Sequence, residues 1–430
     1  MFLTCKIRLN KLDKIHFDLL NEMTYLSKNI YNSALYEIKN YYNSTNSYLD
    51  YQKCWNIIKL ADNYIKLPSQ VGQQTLKIAD RNFKSFFALL RKKVKYSNYD
   101  RPVKIPKYLK KNSHYVLIYT KQYIRIKGNK IYLCLSKYLT NKYKTKLIVD
   151  LPNYIRYNEI KEIRILPRNK WFDLHIIYKK EELKEKSNNE YLSIDLGVNN
   201  LMTCVDTKNN SSFIIDGKHL KWKNQYFNKA KSEYQSILKK VNNKYNSNKI
   251  NKLYDKRNNY LSNESHLISK RIIEYCISNN IDNIVIGYNK LWKENSKMSK
   301  KVNQNFVQLP FGKLIWYIGY KCKLNGINFK TNEESYTSKC DALALEPIQK
   351  QEVYSGKRIE RGLFKSSNNK VINSDVNGAL NILRKVNKCK GESFVKKIAE
   401  SGAVIVPIKI RLNELQRPFY KEFQIIKFSI

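Results

Sequence analysis

The stretch Leu192-Ser-Ile-Asp-Leu-Gly-Val198 sets an acid inside an apolar run that ends in a glycine turn. The pattern predicts a strand, and a carboxylate in a buried strand is costly unless something binds it. Asp195 therefore reads either as the cap of its own turn or as a metal ligand. Its surroundings bear on that choice. Tyr191–Val198, Leu201–Val205 and Ser212–Ile215 are three short apolar segments joined by tight turns, which predicts an antiparallel meander. Two long polar helices follow, over about His219–Asn246 and Lys249–Asn279. After them come a short buried strand at Asn283–Ile286, a helix over Phe311–Asn325, a strand at Ile327–Asn332 and a last helix over Asp375–Val386.

Meander, helix, strand, helix, strand, helix is the element order of an RNase H-like domain. In that order the start of the last helix faces the middle of the first strand. The acid there is Asp375, in Ile372-Asn-Ser-Asp-Val-Asn-Gly-Ala-Leu-Asn-Ile382. Alone it reads equally as an N-terminal carboxylate stabilised by the helix dipole. Paired with Asp195 it can hold two divalent ions ~3.5–4 Å apart, one activating water and one stabilising the leaving oxygen.

The N-terminal half is built differently. Phe2–Leu9 alternates as a strand, and Leu12 to about Val94 is helical, with Leu19, Leu20, Met23, Leu26, Ile30 and Leu35 at helical spacing. Pro68-Ser69 opens another helix that runs to about Arg91. Tyr96–Asn112, with Pro102 and Pro106 among lysines, is a basic loop. His114–Thr120, Tyr123–Lys127 and Lys130–Leu135 read as strands, and Ile160–Leu166 with Trp171–Tyr178 as a hairpin around Pro167-Arg168-Asn169. A first strand parted from its sheet by helices suggests a small barrel with an inserted helical lobe. Glu181–Asn189 reads as a charged linker and Lys388–Ile430 as a weakly structured tail.

Composition points to a polyanion partner. The 430 residues carry 80 Lys and Arg against 36 Asp and Glu, a formal net charge of +44. Such an excess repels itself unless a polyanion neutralises it. AT-rich coding explains Lys over Arg and the 33 Tyr, but not the shortage of acids. Mean hydropathy is −0.58, and no apolar run reaches the ~18–20 residues of a spanning helix. Met1–Asn10 lacks the apolar core of a secretory signal, so the reading is intracellular with no membrane partner. The eight cysteines stand singly and form no CxxC pair, which supports neither a zinc ribbon nor a redox couple.

Four segments carry a family resemblance: Asp195-Leu-Gly-Val-Asn-Asn200, Ile284-Val-Ile-Gly287, Glu333-Glu-Ser-Tyr-Thr-Ser-Lys339 and Asp375-Val-Asn-Gly-Ala-Leu-Asn-Ile-Leu383. Together they resemble the TnpB family of transposon-encoded RNA-guided nucleases, ancestors of compact type V CRISPR effectors. The segments lie in one order along most of the chain, with Lys104-Ile-Pro-Lys-Tyr108 in the N-terminal half. The resemblance implies an α/β and β multi-domain protein: a RuvC-like nuclease domain of RNase H type, and an OB-like wedge barrel with an inserted helical recognition lobe. Its boundaries would be 1–10 and 97–185 for the wedge, 11–96 for the lobe, 186–334 and 371–388 for the nuclease, 335–370 for a target-binding insertion and 389–430 for the tail. It implies a guide RNA, a double-stranded DNA target unwound beside a short adjacent motif, two Mg2+ ions, and a prokaryotic cytoplasmic protein that meets the nucleoid when acting.

Two departures matter. The family usually places a Glu at the end of the strand that here closes on Gly287, and two CxxC pairs in the insertion, where only Cys340 remains. The second predicts an insertion that folds without zinc. For the first, the neighbouring strand lies ~4.8 Å away and ends at Glu333-Glu334, of which alternation turns one to the active-site face. Glu334 is preferred over Glu333 as the displaced third metal ligand beside Asp195 and Asp375, with solvated surface acids as the alternative.

Other contacts follow from residue chemistry. Gln73, Gln74, Lys77, Arg81 and Lys84 share the helix after Pro68, where Gln can read adenine edges and Lys can hold phosphate; a solvated helix face is the plain alternative. Lys104, Lys107, Lys110 and Lys111 suit a heteroduplex backbone, and Lys357, Arg358 and Arg361 a single strand entering the site. Trp222 and Tyr226 can stack on bases, although packing between helices is the preferred reading. The competing functions are an RNA-guided repressor with dead chemistry and a direct DNA transposase.

Overall fold

The computed structural model describes residues 1–95, 102–168, 170–186, 188–289, 304, 308–401 and 406–416. They form two compact units, Met1–Glu181 and Glu182–Ile430.

In the first unit, β1 (Phe2–Leu9) leads into α1 (Lys14–Thr45), whose N-terminus is capped by Asp13 accepting from the His16 amide. Helices α2 (Tyr51–Ile58), α3 (Asp62–Lys66) and α4 (Ser69–Lys95) follow. Strands β2 (Leu117–Thr120), β6 (Ile160–Pro167) and β7 (Phe172–Lys179) join β1 in a sheet of order β1-β7-β6-β2. The first strand thus pairs antiparallel with β7 across the helical segment, Cys5 opposite Ile176. A second ladder holds β3 (Ile124–Lys127), β4 (Lys130–Leu133) and β5 (Leu147–Asp150), with α5 (Lys137–Tyr143) between the last two. Helices and strands share one core, running from Leu19 and Met23 on α1 through Val71 and Phe83 on α4 to Ile163 and Leu174. Asn169 at the centre of the hairpin turn and residues 96–101 of the basic loop lie outside the described residues.

The second unit is centred on a six-stranded sheet whose order is β12 (Asn328–Asn332), β11 (Asn283–Gly287), β8 (Tyr191–Leu196), β9 (Asn200–Asp206), β10 (Ser211–Asp216) and β16 (Ile408–Ile410). Strands β8, β9 and β10 make the expected antiparallel meander. Strand β11 runs parallel to β8, and β12 parallel to β11. Parallel neighbours need crossovers, supplied here by α6 (Lys218–Asn242) and α7 (Asn248–Ser278) before β11 and by α8 (Phe311–Asn325) before β12. Leu192 and Ile194 of β8 face a core with Ile268, Ile272 and Ile318 of these helices. The opposite face carries α9 (Ser374–Val386), whose Val376, Ala379 and Leu380 pack with Val205.

The reading of the last segment as weakly structured is overturned for Lys388–Ser401 and for Ile408–Gln416. Helix α10 (Lys388–Ser401) buries Phe394, Val395 and Ile398 in the core beneath α9. Strand β16 (Ile408–Ile410) then pairs parallel with β10, Phe213 opposite Ile408. A period of apolar residues this short, set among lysines, gives little pattern to read. Residues 402–405 and 417–430 lie outside the described residues. Among the described residues no helix is long and apolar enough to cross a membrane.

Candidate active site

Strand β8 points alternate residues at α9. Ser193 donates to the Ala379 carbonyl at 2.7 Å, and two residues on, Asp195 reaches the same helix at Gly378. A Cβ built on Gly378 would stand 2.6 Å from Asp195 Oδ2. Only a residue without a side chain lets the helix pass so close to the carboxylate.

Asp375 enters from the first turn of α9, which Asn373 caps by accepting from the amides of Asp375 and Val376. Its Oδ2 accepts a 2.7 Å hydrogen bond from Asn200 Nδ2 at the start of β9. The third acid arrives from the end of β12. Gly287 lies opposite Asn332 in the β11–β12 ladder, and the Glu334 amide donates to Asn289 Oδ1 at 3.0 Å just past β11. A Cβ on Gly287 would lie 2.9 Å from Glu334 Oε2. Glu334 therefore shares the notch that the glycine leaves open with Ile382, whose Cδ1 would stand 2.5 Å from that Cβ. Glu333 does not: it is exposed, and its Oε1 accepts from the Ser335 hydroxyl at 2.5 Å.

Electrostatics bind the three acids into one site. Burial, then the charges of Glu334 and Asp375, hold the Asp195 carboxyl well above the usual carboxylate range, while Arg358 pulls the other way. Burial pushes Glu334 up to about 7. Gathered acids of this kind favour a cation between them. Among the described residues, though, no three His, Cys, Asp or Glu side chains already form a cage for an ion.

Arg358 comes from the insertion, which is more ordered than a loop rich in Lys, Ser and Gly suggests. Strands β13 (Lys357–Glu360), β14 (Leu363–Lys365) and β15 (Val371–Asn373) form an antiparallel sheet leading directly into α9. Lys357, Arg358 and Arg361 are all exposed on it. Buried Asp341 ties its two turns together. Oδ1 accepts from the amides of Leu343 and Ala344, and Oδ2 from the Ser366 hydroxyl and the Ser367 amide and hydroxyl. Asn377 and Asn381 of α9 donate to the Cys340 carbonyl. The Cys340 thiol itself meets the carbonyls of Pro347 and Gln349.

The remaining candidates lie on other elements. On α4, Gln73 bonds the Tyr64 hydroxyl, Lys77 sits over the Tyr51 ring, the Arg81 Nε returns to the Lys77 carbonyl, and Lys84 pairs with Asp80 at 2.8 Å; Gln74 is partly buried. Lys104, Lys107, Lys110 and Lys111 are exposed on a segment anchored to α1, where Asn32 bonds both the amide and the carbonyl of Leu109. The packing reading of Trp222 and Tyr226 is overturned, since they are 52% and 58% exposed. Sequence pattern passed over Asn200, Gly378 and Asp341. The first two lie inside the quoted family segments, but Asp341 follows Cys340 without any spacing to mark it.

Two family models match the chain: OrfB_IS605, a probable transposase, over residues 175–293, and the Cas12f1-like TNB domain over residues 311–382. These matches support a TnpB-like family for the chain. No curated protein matches significantly. Among solved structures, a Cas12f1–sgRNA–target DNA complex is similar at 14% identity and TM-score 0.56, covering 89% of this chain and 98% of that one. The two share their fold. A CRISPR-Cas12f ternary complex matches at 14% identity and TM-score 0.35, covering 86% and 85% of the two chains. The mini-RNA-guided endonuclease CRISPR-Cas_phi3 matches at 11% and TM-score 0.46, covering 89% and 92%.

Proposed function

We propose that the chain is an RNA-guided DNA endonuclease whose second unit is a RuvC-like, RNase H-type nuclease. The observation that carries the reading is Glu334 in the notch of Gly287, beside Asp195 and across from the helix start that bears Asp375. It returns a third acid to a site whose own strand lacks one. The sheet order, an antiparallel meander flanked by two parallel strands, supports the same reading.

Magnesium fits this donor set, which is all oxygen. Mg2+ keeps several waters and takes one or two carboxylates directly, so a finished three-residue cage is not needed before it binds. Two such ions would supply an activated water and a stabilised leaving oxygen. The chain's own residues do the rest. Gly378 lets α9 close over Asp195, Asn200 orients the Asp375 carboxylate, and Asn289 fixes the Glu334 backbone. Arg358 brings the compensating charge to where a phosphate would enter.

The net charge of +44 supplies the contact to RNA and DNA backbones, while guide pairing supplies sequence. We assign the β-ladders of the first unit to an OB-like wedge, its helices to target-adjacent recognition, and the Asp341-tied insertion to target binding without zinc. The test is to purify the protein from its native locus, sequence the bound RNA, and offer a plasmid matching its variable end with Mg2+. One discrete RNA species and cleavage beside a short motif are expected. Random cellular RNA would refute a guided mechanism, and a discrete guide without cleavage would favour the repressor.

A further inference from the structure

Helix α6 begins on the turn that orients the acids. The Gly217 amide donates to the Asn199 carbonyl at 2.8 Å, and Lys221 Nζ reaches Asn199 Oδ1 at 3.1 Å; the next residue, Asn200, holds Asp375. From there His219, Trp222 and Tyr226 follow one another along one face, at the three- and four-residue spacing that aligns side chains on a helix. The His219 and Trp222 rings stack at 5.6 Å and 26°, and Trp222 and Tyr226 at 6.0 Å and 25°. Both larger rings face solvent.

A cavity of about 580 Å³ opens beside them, lined by His219, Trp222, Tyr260, Glu264 and Arg411. That volume is within the roughly 300–1,000 Å³ of small-ligand clefts. Its walls, which also include Asp216 and Lys218, offer aromatic faces, carboxylate acceptors and a guanidinium. A flat ring with amino donors on its edge and an attached phosphate satisfies all three, which describes an unpaired nucleotide.

We infer that the His219–Trp222–Tyr226 face is a stacking platform for unpaired bases of the DNA strand to be cut, with one base seated in the cavity against Glu264. The inference rests on the proposed nuclease reading for its choice of strand. DNA is favoured over guide RNA because the platform's helix starts at Gly217, bonded to the neighbour of the residue that holds Asp375, where the cut strand must pass.

The test is binding in EDTA, which keeps it independent of cutting. A short fluorescent single-stranded DNA is titrated into full-length protein and followed by anisotropy, and the same oligonucleotide carrying 2-aminopurine reports stacking by quenching. W222A and Y226A should each weaken single-strand binding on the order of ten-fold. W222F should retain it, and wild type should quench 2-aminopurine. Unchanged affinity in the W222A/Y226A double variant would overturn the platform, as would an equal loss for duplex DNA. A loss confined to RNA oligonucleotides would overturn the strand assignment. A wild type that binds and quenches yet never cleaves would sink the nuclease reading and leave the platform standing.

Discussion

The carboxylate of Glu334 stands where a side chain on Gly287 would have to go, its Oε2 2.9 Å from the position of the missing Cβ. Gly287 ends one of two neighbouring parallel strands, and Glu334 lies two residues past the end of the other. Gly287 leaves room that the Glu334 carboxylate takes. An acid coming from beyond the adjacent strand needs the longer reach of Glu and an empty site to reach into.

The role of that acid can be separated from its neighbour's. Glu334→Gln should abolish cleavage, as Asp195→Ala and Asp375→Ala should, with target binding kept because it rests on pairing and phosphate contacts. Glu333→Gln should cut like wild type, since Glu333 is exposed and bonded to Ser335. Plasmid cleavage and filter binding on the four variants decide it. Normal cutting by Glu334→Gln would remove Glu334 from the site.

Asn200 touches only a proposed ligand, so its loss should be milder. Asn200→Ala frees the Asp375 carboxylate and should lower cleavage about 10–100-fold, the usual cost of removing a partner that orients a metal ligand. Raised Mg2+ should recover part of the loss. A rate that is lowered equally at every Mg2+ concentration would place Asn200 elsewhere in the mechanism.

Asp341 carries the insertion. Replacing it with Ala leaves the Leu343, Ala344 and Ser367 amides and two hydroxyls without their acceptor, which should cost about 3 kcal/mol or more. Thermal melts measure this. Wild type should melt at the same temperature with and without a zinc chelator. A stoichiometric zinc in metal analysis would instead assign the two turns to a metal.

One pH response is built into the first unit. Among the described residues His175 Nε2 is buried without a hydrogen-bond partner. Burial first, then Lys6, Arg168 and Arg164, lowers its pKa from the ordinary 6.5, against the pull of Asp173. The unfolded chain takes up a proton there before the folded one does, so its contribution is full above pH 6.5 and is lost as the pH falls. The Tm of wild type should drop more steeply from pH 7.5 to 5 than that of His175→Gln. Parallel curves would rule the residue out.

Much of this was legible in the chain because burial leaves a period. The meander, the long helices, Asp195 and Asp375 all sit in segments whose apolar spacing matches their secondary structure. Glu334 could be weighed against Glu333 only because a strand alternates. What stayed hidden has no period. Helix α10 and strand β16 are short and lysine-rich, the insertion is held by two buried acids, Asp341 and Glu346, and a few hydroxyls, and the exposure of Trp222 and Tyr226 depends on which helix faces are covered. Asn200 was invisible for a different reason: its function is a single hydrogen bond to a residue 175 positions away.

The parallel pairing of β16 with β10 has a consequence for biosynthesis. Strand β10 is complete at Asp216, but its outer partner is translated only after the two long helices, the insertion and α10. Throughout that interval the emerging meander presents a free row of backbone donors and acceptors, the feature through which chains pair with the wrong neighbour. A chain ending before Ile408 would leave the outer edge of β10 unpaired, whereas one that completes the strand covers it with β16.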